Sequence, residues 1–554
     1  MTTRTWILLV TLLLTQSDAT AQEPPPRKPN IVIILADDLG FSDLGCYGGE
    51  IQTPTLDKLA KNGVRFTQFY NTPRCCPSRA ALMTGLYSHQ TGIGNMTGDQ
   101  QLPGYRGNLN DRCLTIAQVL RLAGYRSFMV GKWHLGVPGP IARGFDDYFG
   151  LLGGFDGFWN PNPYVRLPKG RPSRTYENGG FFATDAFTDH ALDFLADVRT
   201  RPEQPWFLYL AHTAPHFPLH AHEEDIAKYE PIFQKGWDKI REERYDRQTK
   251  LKIIDPRWPL SPRSEYVHKF SKEQRPNPAW DSLDADRRKD LARRMAVYAA
   301  MIDRMDRNIG RVVDDLAKNK QLDNTLIVFL SDNGGSAEWD HLGFDNNSGP
   351  ENVLHRGDDL KKIGAPGSYV SAGSGWGNAQ NTPFRWYKHH CYEGGVGTPF
   401  IAHWPARIKT PGELRHQVGH LIDLMPTCVE VAGTTFPDKF DGKNLLPLEG
   451  TSLIPAFDNR AVSRPPLFWE HEGNRAVRDG KWKLVANKGQ PWELYDLEAD
   501  RVESKDLAKA HPERAEALAD SWRAWAIRAQ VYPSPFLGDA DGTPPAKKKA
   551  AKGK

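Results

Sequence analysis

The sequence predicts a large doubly wound α/β domain followed by a smaller α+β domain at the carboxyl terminus. The first observation is the run NIVIILA (Asn30–Ala36), which is apolar on both faces and is typical of a central strand in a parallel sheet. The second is that such runs alternate with helical patterns as far as about Phe440. The third is a change in the sequence pattern beyond that point, where short strands joined by turns are predicted to pair and are followed by one long helix.

The elements of the large domain follow from local patterns of apolar residues. After the first strand, TPTLDKLAKNG (53–63) is a helical pattern that ends at a glycine, and VRFTQFY (64–70) predicts a strand. The same alternation predicts a helix at 113–124, a strand at 125–136, a helix at 183–198 and a strand at 205–214. A long amphipathic helix at 291–319 then precedes the strand TLIVFLSD (325–332).

Two segments depart from this alternation. Residues 220–282 are rich in charged and aromatic side chains, and we expect them to form an insertion over the ligand-binding face, outside the sheet. Beyond residue 440, RAVRDGKWKLVA (475–486) and PWELYDLEAD (491–500) predict paired strands, and residues 511–529 predict a helix. The predicted domains are therefore 30–440, with the insertion at about 220–282, and 441–535.

The two ends of the chain predict export and a free tail. Residues 1–21 combine Arg4, an apolar core and small residues at Ala19 and Ala21, which is typical of a secretory signal peptide. A proline-rich linker at 22–29 follows, and residues 536–554 form a lysine-rich tail that we expect to be disordered. No other apolar run approaches the length of a membrane span. We therefore expect an exported protein, periplasmic or secreted.

The charge balance argues against nucleic-acid binding. The chain has 71 basic and 67 acidic residues. Five of its lysines lie in the tail, and without them the net charge is −1. A protein body so close to neutral has no basic surface for phosphate backbones, so we expect no nucleic-acid partner.

Acidic pairs follow two of the predicted strands. Asp37 and Asp38 come after NIVIILA, and Asp332 and Asn333 come after TLIVFL, each pair close to glycine. Open α/β sheets bind ligands at the carboxyl ends of their strands, and two such pairs suit a hard cation such as Ca²⁺ or Mg²⁺. A single pair of this kind more often caps a helix or starts a turn, so that reading stays open for each pair alone.

Basic residues follow other strands. In GKWHLG, strand alternation places Lys132 and His134 on one face, where they can converge on an anion. AHTAPHFP offers His212 and His216, of which we expect one to be structural. FRWYKHHCYEGG contributes Lys388, with two weaker candidates, His389 and His390. Taken alone, each lysine could equally be an ordinary surface residue, and each histidine could equally be a structural residue held by hydrogen bonds.

The stretch TPRCCPSRAALMTG (72–85) places two of the six cysteines side by side. Pro77 suits the first turn of a helix, so Cys75 lies at a helix N-terminus, where partial positive charge favours an anion. Arg79 lies about one turn further on and can point back toward it. A thiolate nucleophile fits this position, but an exported reactive thiol is exposed to oxidation. The pair can also be read as two structural thiols or as partners of other cysteines.

CCPSRAALMTG resembles the C-x-P-S-R-x-x-L-x-T-G signature of the sulfatase family, in which the first cysteine is oxidised to formylglycine. The segments DDLGFSDLGCYGG, GKWHLG, TAPHFP, SDNGG and YKHHCYEGG are similar to the family's other active-site segments, in the family's order. The resemblance covers nearly the whole mature chain, and GGEIQTPTLD and HQTGIGNM look closest to bacterial arylsulfatases. It implies an alkaline-phosphatase-like fold, with a large domain built on a mixed sheet and a small C-terminal domain.

The resemblance also implies a role for each matching residue. Cys75 would be converted by a formylglycine-forming enzyme, while Cys76 occupies a variable position. One Ca²⁺ would be bound by residue 75 together with Asp37, Asp38, Asp332 and Asn333. Arg79 would hold the hydrated aldehyde, and four residues would surround the sulfate: Lys132, His134, His216 and Lys388. His216 is preferred to His212 because the family's histidine directly precedes an aromatic-proline pair.

The implied reaction is the hydrolysis of a sulfate ester. One hydroxyl of the hydrated aldehyde, activated beside Asp332 and the metal, would attack sulfur, and His216 and Lys388 would stabilise or protonate the departing alcohol. His134 would then take the proton of the second hydroxyl, which expels sulfate and restores the aldehyde.

Two other functions stay open. One is a phosphonate monoester or phosphodiester hydrolase of the same superfamily, and the other is a non-catalytic binder of sulfated glycans whose Cys75 is unmodified. We expect the substrate, a small-molecule or glycan sulfate ester, to be selected by LLGGFDGFWNPNPYV (151–165) and by the insertion. The sequence fixes neither the identity of that ester nor the oligomeric state nor the pairing of the other four cysteines.

Overall fold

The structure of the protein, a computed structural model, describes residues 27–177, 179–267, 274–338, 340–346 and 352–538. The predicted signal peptide (1–21) lies outside these residues, as do positions 22–26 of the predicted linker and 539–554 of the predicted tail. Across the described ranges, no helix is both long enough and apolar enough to cross a lipid bilayer.

The strands are short, and most belong to one of two sheets. In chain order they are β1 (Asn30–Ala36), β2 (Val64–Phe66), β3 (Phe69–Tyr70), β4 (Arg126–Lys132), β5 (Asp147–Leu151), β6 (Val165–Leu167), β7 (Trp206–Ala211), β8 (Glu265–Val267), β9 (Gln274–Pro276), β10 (Thr325–Ser331), β11 (Phe400–His403), β12 (Leu414–Arg415), β13 (Gly419–His420), β14 (Lys439–Phe440), β15 (Lys443–Asn444), β16 (Leu467–His471), β17 (Asn474–Asp479), β18 (Trp482–Ala486) and β19 (Glu493–Asp496).

The helices vary from a single turn to a rod of 34 residues. In chain order they are α1 (Pro54–Lys61), α2 (Cys75–Thr84), α3 (Ile116–Leu122), α4 (Ala183–Val198), α5 (Glu223–Ile226), α6 (Glu230–Phe233), α7 (Gly236–Lys250), α8 (Ala285–Lys318), α9 (Ser374–Gln380), α10 (Glu393–Val396), α11 (Leu424–Val431), α12 (Ile454–Phe457) and α13 (Pro512–Arg528). Short 3-10 turns occur at Gly45–Tyr47, Ser88–Thr91, Trp280–Ser282, Leu322–Asn324, Gly357–Lys362 and Leu421–Asp423.

The large domain is built on a mixed sheet. Within the described residues its strands have the order β12-β2-β11-β10-β1-β7-β4-β5-β6. The five central strands, from β10 to β5, run parallel, whereas β11 and β6 are antiparallel to their inner neighbours. β1 lies between β7 and β10, so the ends of three parallel strands meet at one place on the carboxyl edge.

Both faces of this sheet are covered. Along β1, Ile31, Ile33 and Leu35 belong to a core shared with α2, α3 and α11, while the alternating residues face a second core under α1, α4 and α8. The absence of a polar face in NIVIILA thus follows from burial on both sides of the strand. Asp284 directly precedes α8 as its N-cap residue, and its side chain accepts a hydrogen bond from the backbone N–H of Arg287.

The small domain is an antiparallel sheet covered by one helix. Within the described residues, β16, β17, β18 and β19 pair in chain order, and Trp522 and Trp525 of α13 are buried against them. The Trp525 ring stacks on Phe468 at a centroid distance of 5.1 Å. The predicted fold class, a doubly wound mixed sheet with a smaller C-terminal α+β domain, is therefore confirmed. The exact domain boundaries stay a prediction.

A buried ionic cluster joins the two domains. Glu393 of α10 accepts hydrogen bonds from Lys483 Nζ at 2.9 Å and from Arg501 Nε at 2.7 Å. Tyr70 donates to the same carboxylate at 2.7 Å. Lys483 also pairs with Glu503 at 2.8 Å, and Glu503 accepts the backbone N–H of Glu393 at 2.8 Å. Each charge is compensated by a neighbour, which is the condition for burying it.

The described part of residues 220–282 stays outside the main sheet and packs beside it. Arg244 of α7 binds Asp43 at 2.7 Å and Glu50 at 2.6 Å, both in the loop that follows Asp38. Trp237 and Trp280 pack against Trp376 of α9. The insertion therefore supports the loop behind the acidic pair; its role in selecting ligands stays a prediction.

The predicted strand at 64–70 is divided in the structure. β2 joins the main sheet beside β11, whereas β3 pairs with β13 in a separate two-stranded sheet. Between them, the backbone of Thr67 donates to Arg415 and the side chain of Gln68 donates to His416. One continuous apolar run does not reveal a change of partner strand, so the prediction of a single strand is wrong.

Candidate active site

The predicted site residues meet at the carboxyl edge of the main sheet. Asp37 and Asp38 follow β1, and Asp332 and Asn333 follow β10. β1 and β10 are in register from Asn30 opposite Thr325 to Ala36 opposite Ser331, so both strands end at the same level. The backbone N–H of Asp332 donates to the carbonyl oxygen of Ala36 at 3.1 Å, which extends the pairing past the last strand residue.

The acidic residues form a compact buried cluster. Asn333 Nδ2 donates to Asp38 Oδ1 at 2.7 Å, and the backbone N–H of Asp38 donates to Asp332 Oδ1 at 3.2 Å. Asp37 Oδ1 and Asn333 Oδ1 are buried and accept no hydrogen bond from any described residue. Buried oxygens without a donor are unfavourable unless something else satisfies them. One unsatisfied carboxylate oxygen and one unsatisfied amide oxygen, in a cluster with two more carboxylates, fit a hard divalent cation.

Cations surround this cluster. Lys132 Nζ lies 2.6 Å from Asp37 Oδ2, and Lys388 Nζ lies 2.8 Å from Asp38 Oδ2. Arg79 donates to Asp332 at 2.8 Å and to the carbonyl oxygen of Lys132 at 3.0 Å. Each of the three carboxylates thus has a buried cation of its own.

Burial and charge act in opposite directions on these carboxyl groups. Burial raises the pKa of Asp37 above its ordinary value, although Lys132 and Arg79 oppose this. Burial and the nearby Asp37 likewise raise the pKa of Asp332. Burial also acts to raise the pKa of Asp38, but Lys388 and His216 outweigh it and lower that pKa. Three carboxylates this close together are unfavourable when all are ionised, and a bound cation would stabilise the fully ionised state.

Cys75 is the first residue of α2, and its thiol faces His134. The Sγ atom lies 3.6 Å from His134 Nδ1, and the thiol of Cys76 lies 3.1 Å from Nε2 of the same ring. A hydrogen bond from Cys76 lowers the pKa of Cys75 well below its ordinary value, and the charges of Lys132 and His134 act in the same direction against burial. All ten residues of α2 are buried, so the thiol is held on a rigid element. The six cysteines all lie in the described part of the chain, and each is a free thiol.

His134 reaches this position from a loop. β4 ends at Lys132, and His134 has a φ of 50°, so strand alternation does not extend to it. The prediction that alternation places Lys132 and His134 on one face is therefore wrong, although a turn brings both to the site. A Cβ atom at Gly154 would lie 2.8 Å from His134 Cε1. This glycine thus lets the loop at 151–157 pack against the imidazole ring.

The two candidate histidines after β7 are separated by the structure. His216 Nε2 lies 3.6 Å from Asp38 Oδ2, and ligand atoms of His216, Asp37 and Asp38 lie within 4.8 Å of one another. His212 is fully buried, and its ring packs near Phe187 of α4. Neither of its ring nitrogens has a hydrogen-bond partner in the described part of the chain. Burial lowers the pKa of His212 to about 3. His216 is therefore the histidine that faces the site.

Aromatic rings form one wall beside His216. The Phe155 ring stacks on His216 at a centroid distance of 5.4 Å and an angle of 20°, and Phe217 lies 5.0 Å from Phe155. Phe155 belongs to the aromatic loop noted in the sequence and is 41 % exposed. Tyr369 lies near both phenylalanine rings. An exposed ring next to buried charges offers an apolar surface for part of a ligand.

Sequence reasoning missed two members of the site, Glu338 and Arg74. Glu338 is buried and lies 2.5 Å from Arg74 and 3.0 Å from His389, and it forms an ion pair with Lys388 at 3.4 Å. Its only sequence signal is its position six residues after Asp332, and Arg74 has none beyond its place next to Cys75. The weaker candidate His390 is outside this group, because its ring stacks on Trp386 and contacts Asn487.

Two models of known protein families match this chain. The sulfatase family model matches residues 29–434, and the model described as N-sulphoglucosamine sulphohydrolase, C-terminal, matches residues 383–522. An uncharacterized sulfatase of Schizosaccharomyces pombe is 34 % identical over 92 % of this chain and 95 % of its own length. An arylsulfatase of Klebsiella aerogenes is 34 % identical over 80 % of this chain and 94 % of its own length.

A solved structure shows the same fold. The crystal structure of Ps i-CgsB in complex with k-i-k-neocarrahexaose superposes with a TM-score of 0.65 at 28 % identity, and covers 93 % of this chain and 96 % of its own. The family model matches well over half of the chain, and both relatives named above exceed 30 % identity. The chain therefore belongs to the sulfatase family, whose members are enzymes that hydrolyse sulfate esters.

Proposed function

We propose that this enzyme releases inorganic sulfate from an aryl or carbohydrate sulfate ester, with a formylglycine made from Cys75 as nucleophile and one bound Ca²⁺. The observation that carries the proposal is the position of Cys75. It begins a buried helix, faces His134 and lies beside an acidic cluster with two unsatisfied oxygens. A formylglycine-forming enzyme is then a required partner during maturation.

Four side chains would hold the Ca²⁺ together with residue 75. Oxygen atoms are the ligands that Ca²⁺ prefers, and the cluster offers carboxylate and amide oxygens from two strand ends. When bound, the ion supplies Lewis-acid stabilisation of negative charge on the sulfate group. The proposed ligands are Asp37, Asp38, Asp332 and Asn333.

The cations of the site have separate tasks. Lys132 and Arg79 hold Asp37 and Asp332 in place and add positive charge where an anionic ester must approach. Arg79 also binds the carbonyl oxygen of Lys132, which fixes the two cations relative to each other. The sulfate group of the ester, itself an anion, is thereby stabilised against the repulsion that a nucleophile would meet.

His134 is placed to move a proton at residue 75. Burial lowers the pKa of His134 to about 4, so its imidazole is neutral at the pH of most extracellular fluids and can accept a proton. The hydrated formylglycine supplies one hydroxyl for attack on sulfur and a second through which sulfate is released. His134 Nδ1, which faces the residue-75 side chain, is the proposed proton acceptor for that release.

Lys388 and His216 are placed on the side of the leaving group. The nearby Asp38 and Glu338 outweigh burial and raise the pKa of Lys388, so the amine stays protonated and can donate to the departing oxygen. His216 lies beside the same Asp38 oxygen and under the Phe155 ring. An aryl or pyranose ring bound there would contact Phe155 through its face.

The substrate class rests on two relatives. The arylsulfatase name of the Klebsiella aerogenes protein supports an aryl ester, and the k-i-k-neocarrahexaose named in the Ps i-CgsB complex supports a carbohydrate ester. The amino-terminal segment supports export to the periplasm or the medium, as predicted from the sequence.

The first test is the mass of the peptide that contains Cys75, from protein made in a host with a formylglycine-forming system. We expect an aldehyde at position 75 and a thiol at position 76. The same preparation should hydrolyse 4-nitrophenyl sulfate, and Cys75→Ala should reduce the rate by at least about 10³-fold, since the nucleophile is lost. Cys46→Ser, at a thiol outside the site, is the matched control and should retain activity.

Two outcomes would replace the proposal. Faster hydrolysis of a phosphonate monoester or phosphodiester than of the matched sulfate ester would identify the hydrolase alternative. Binding of a sulfated glycan that needs Ca²⁺ but releases no sulfate, with an unmodified thiol at position 75, would identify a binding protein.

A further inference from the structure

We propose that His389, His471 and Glu472 form a second metal site, for a borderline divalent cation of the Zn²⁺ type. The three residues lie where the tip of the β16–β17 hairpin meets the segment after Lys388. They share no residue with the cluster proposed to hold Ca²⁺. The site therefore joins the small domain to the large one directly beside the candidate active site.

The ligand atoms already lie close together. One atom from each residue lies within 4.8 Å of the other two. His389 Nδ1 is 3.5 Å from Glu472 Oε2, and His471 Nε2 is 3.9 Å from the same oxygen. Zn²⁺ binds nitrogen and oxygen at about 2.0–2.2 Å in tetrahedral geometry, so its ligands are separated by roughly 3.3 Å. The observed separations require only a small closure around an ion.

His471 is a buried ring without hydrogen bonds. Its side chain has 0 % exposure, and neither ring nitrogen has a hydrogen-bond partner among the described residues. An imidazole in this state loses its hydration without compensation, which is unfavourable. A metal ion bound at Nε2 would satisfy this nitrogen, which already faces the Glu472 carboxylate.

The backbone holds the ligands in place. Glu472 and Gly473 have φ values of 52° and 93° and form the two-residue turn of the hairpin, the conformation favoured between antiparallel strands. Asn474 Nδ2 donates to the carbonyl oxygen of His389 at 3.0 Å. The backbone N–H of His389 donates to Pro73 at 2.8 Å. His389 is thereby fixed between the hairpin tip and the segment that precedes Cys75.

A carboxylate supports the outer nitrogen of His389. Nε2 lies 3.0 Å from Glu338 Oε1, so a proton on Nε2 can be donated to Glu338 while Nδ1 faces the metal position. Ligand histidines commonly make this contact, which fixes the tautomer and strengthens the donor nitrogen. Arg74 also contacts Nε2, and because a guanidinium only donates, this contact must open in the tautomer that donates from Nε2 to Glu338 and binds the metal at Nδ1. The positive charge of Arg74 stays paired with Glu338 at 2.5 Å. Glu472 supplies the negative charge on the metal side.

The donor set selects the class of metal. Two imidazole nitrogens and one carboxylate suit Zn²⁺ and its neighbours, whereas Ca²⁺ and Mg²⁺ prefer oxygen ligands. Glu472 has 39 % of its side chain exposed, so a water molecule can fill the fourth position. A metal ion bound at this site would link His389, the neighbour of Lys388, to His471 and Glu472 of the small domain.

The test is Zn²⁺ binding to the full-length chain, with saturating Ca²⁺ present. Cys75, Cys76 and His134 form another group that can bind Zn²⁺ while position 75 is a thiol, so the parent for this test carries Cys75→Ser and Cys76→Ser. Competition with a chromophoric chelator should show one Zn²⁺ bound with micromolar or tighter affinity. Co²⁺ in its place should give the visible absorption of a four-coordinate ion.

Two variants decide the assignment. Glu472→Gln keeps the size of a half-exposed side chain and should weaken Zn²⁺ binding at least about 10-fold; His389→Ala should do the same. His511→Ala, at an exposed histidine of the small domain, is the control and should bind as the parent does. Zn²⁺ should also raise the Tm of the parent but not that of Glu472→Gln. Equal Zn²⁺ affinity in the parent and both site variants, or no Zn²⁺ binding by the parent, would overturn the proposal.

Discussion

Replacing Glu393 by glutamine tests how the two domains are held together. The Glu393 carboxylate is buried between Lys483 and Arg501, at 2.9 Å and 2.7 Å. Glutamine has nearly the same volume but no charge, so the substitution leaves two buried cations with reduced compensation. Removing one partner of a buried ion pair is strongly destabilising, because the remaining charge stays without water. We therefore expect a lower free energy of unfolding with little change in the packing of the interface.

The size of the effect follows from the ionisation of Glu393. Burial acts to raise its pKa, but Lys483 and Arg501 outweigh burial and lower the pKa from 4.5 to about 2. A lowered pKa in the folded state means that the stabilisation is present above pH 4.5 and is lost as the pH falls toward 2. At neutral pH the difference corresponds to about 3 kcal/mol of folding stability. This is an upper value, because Glu503 can ionise when Glu393 is neutral.

Glu503 provides the matched control. Burial raises its pKa from 4.5 to about 7, with Lys483 opposing and Glu393 adding to the shift. A raised pKa means that its contribution is present below pH 4.5 and is lost as the pH rises through 7. At pH 8 the ionised Glu503 lowers the stability of the fold, so Glu503→Gln should leave the free energy of unfolding unchanged or raise it.

Urea unfolding followed by tryptophan fluorescence at pH 8, with Ca²⁺ present, measures both variants. Glu393→Gln should shift the midpoint to clearly lower urea, and Glu503→Gln should leave it at or above that of the wild type. Equal destabilisation by the two substitutions would refute the assignment of charge within this cluster. Activity per folded molecule should be retained in Glu503→Gln.

Three further predictions concern the candidate active site. Lys132→Met removes the cation that lies 2.6 Å from Asp37, so kcat/KM for 4-nitrophenyl sulfate should fall by about 10²–10³-fold. An unchanged kcat/KM would mean that Lys132 does not stabilise the charge of the ester. Gly154→Ala places a methyl group 2.8 Å from His134 Cε1, so kcat should fall at least about 10-fold while the Tm stays near that of the wild type; full activity would show that the loop moves freely. Removing divalent cations with EDTA should abolish activity and lower the Tm. Adding Ca²⁺ at 100 times its Kd should then restore about 2.7 kcal/mol of folding stability. Full activity after chelation would contradict a metal requirement.

The acidic cluster could be predicted because its position depends on strand ends. In a parallel sheet, residues that directly follow neighbouring strands must lie at one edge, whatever the length of the chain between them. Asp37 and Asp332 are nearly 300 positions apart, yet both follow fully buried apolar runs, and the register of β1 and β10 brings them to one level. The sheet order itself could not be predicted, since nothing in a single strand specifies its neighbours.

Residues on loops were harder to predict. His134 lies past the end of β4, where backbone conformation rather than alternation decides its direction, and the sequence does not display the φ of 50°. Glu338 has no periodic pattern and no motif around it; its importance comes from three basic side chains that approach it from different segments. Predictions based on local periodicity fail where long-range contacts determine the function of a side chain.

On the proposed function, the complete burial of α2 bears on when Cys75 can be modified. Cys75 has 2 % of its surface exposed and begins a helix in which all ten residues are buried. A maturation enzyme needs access to the Cys75 side chain, which the docked helix does not offer. On the proposed function, we therefore expect the conversion of Cys75 to precede folding, so that the two processes compete in time. A chain that folds first would then lack the nucleophile, and the fraction of active molecules would report the relative rates of maturation and folding.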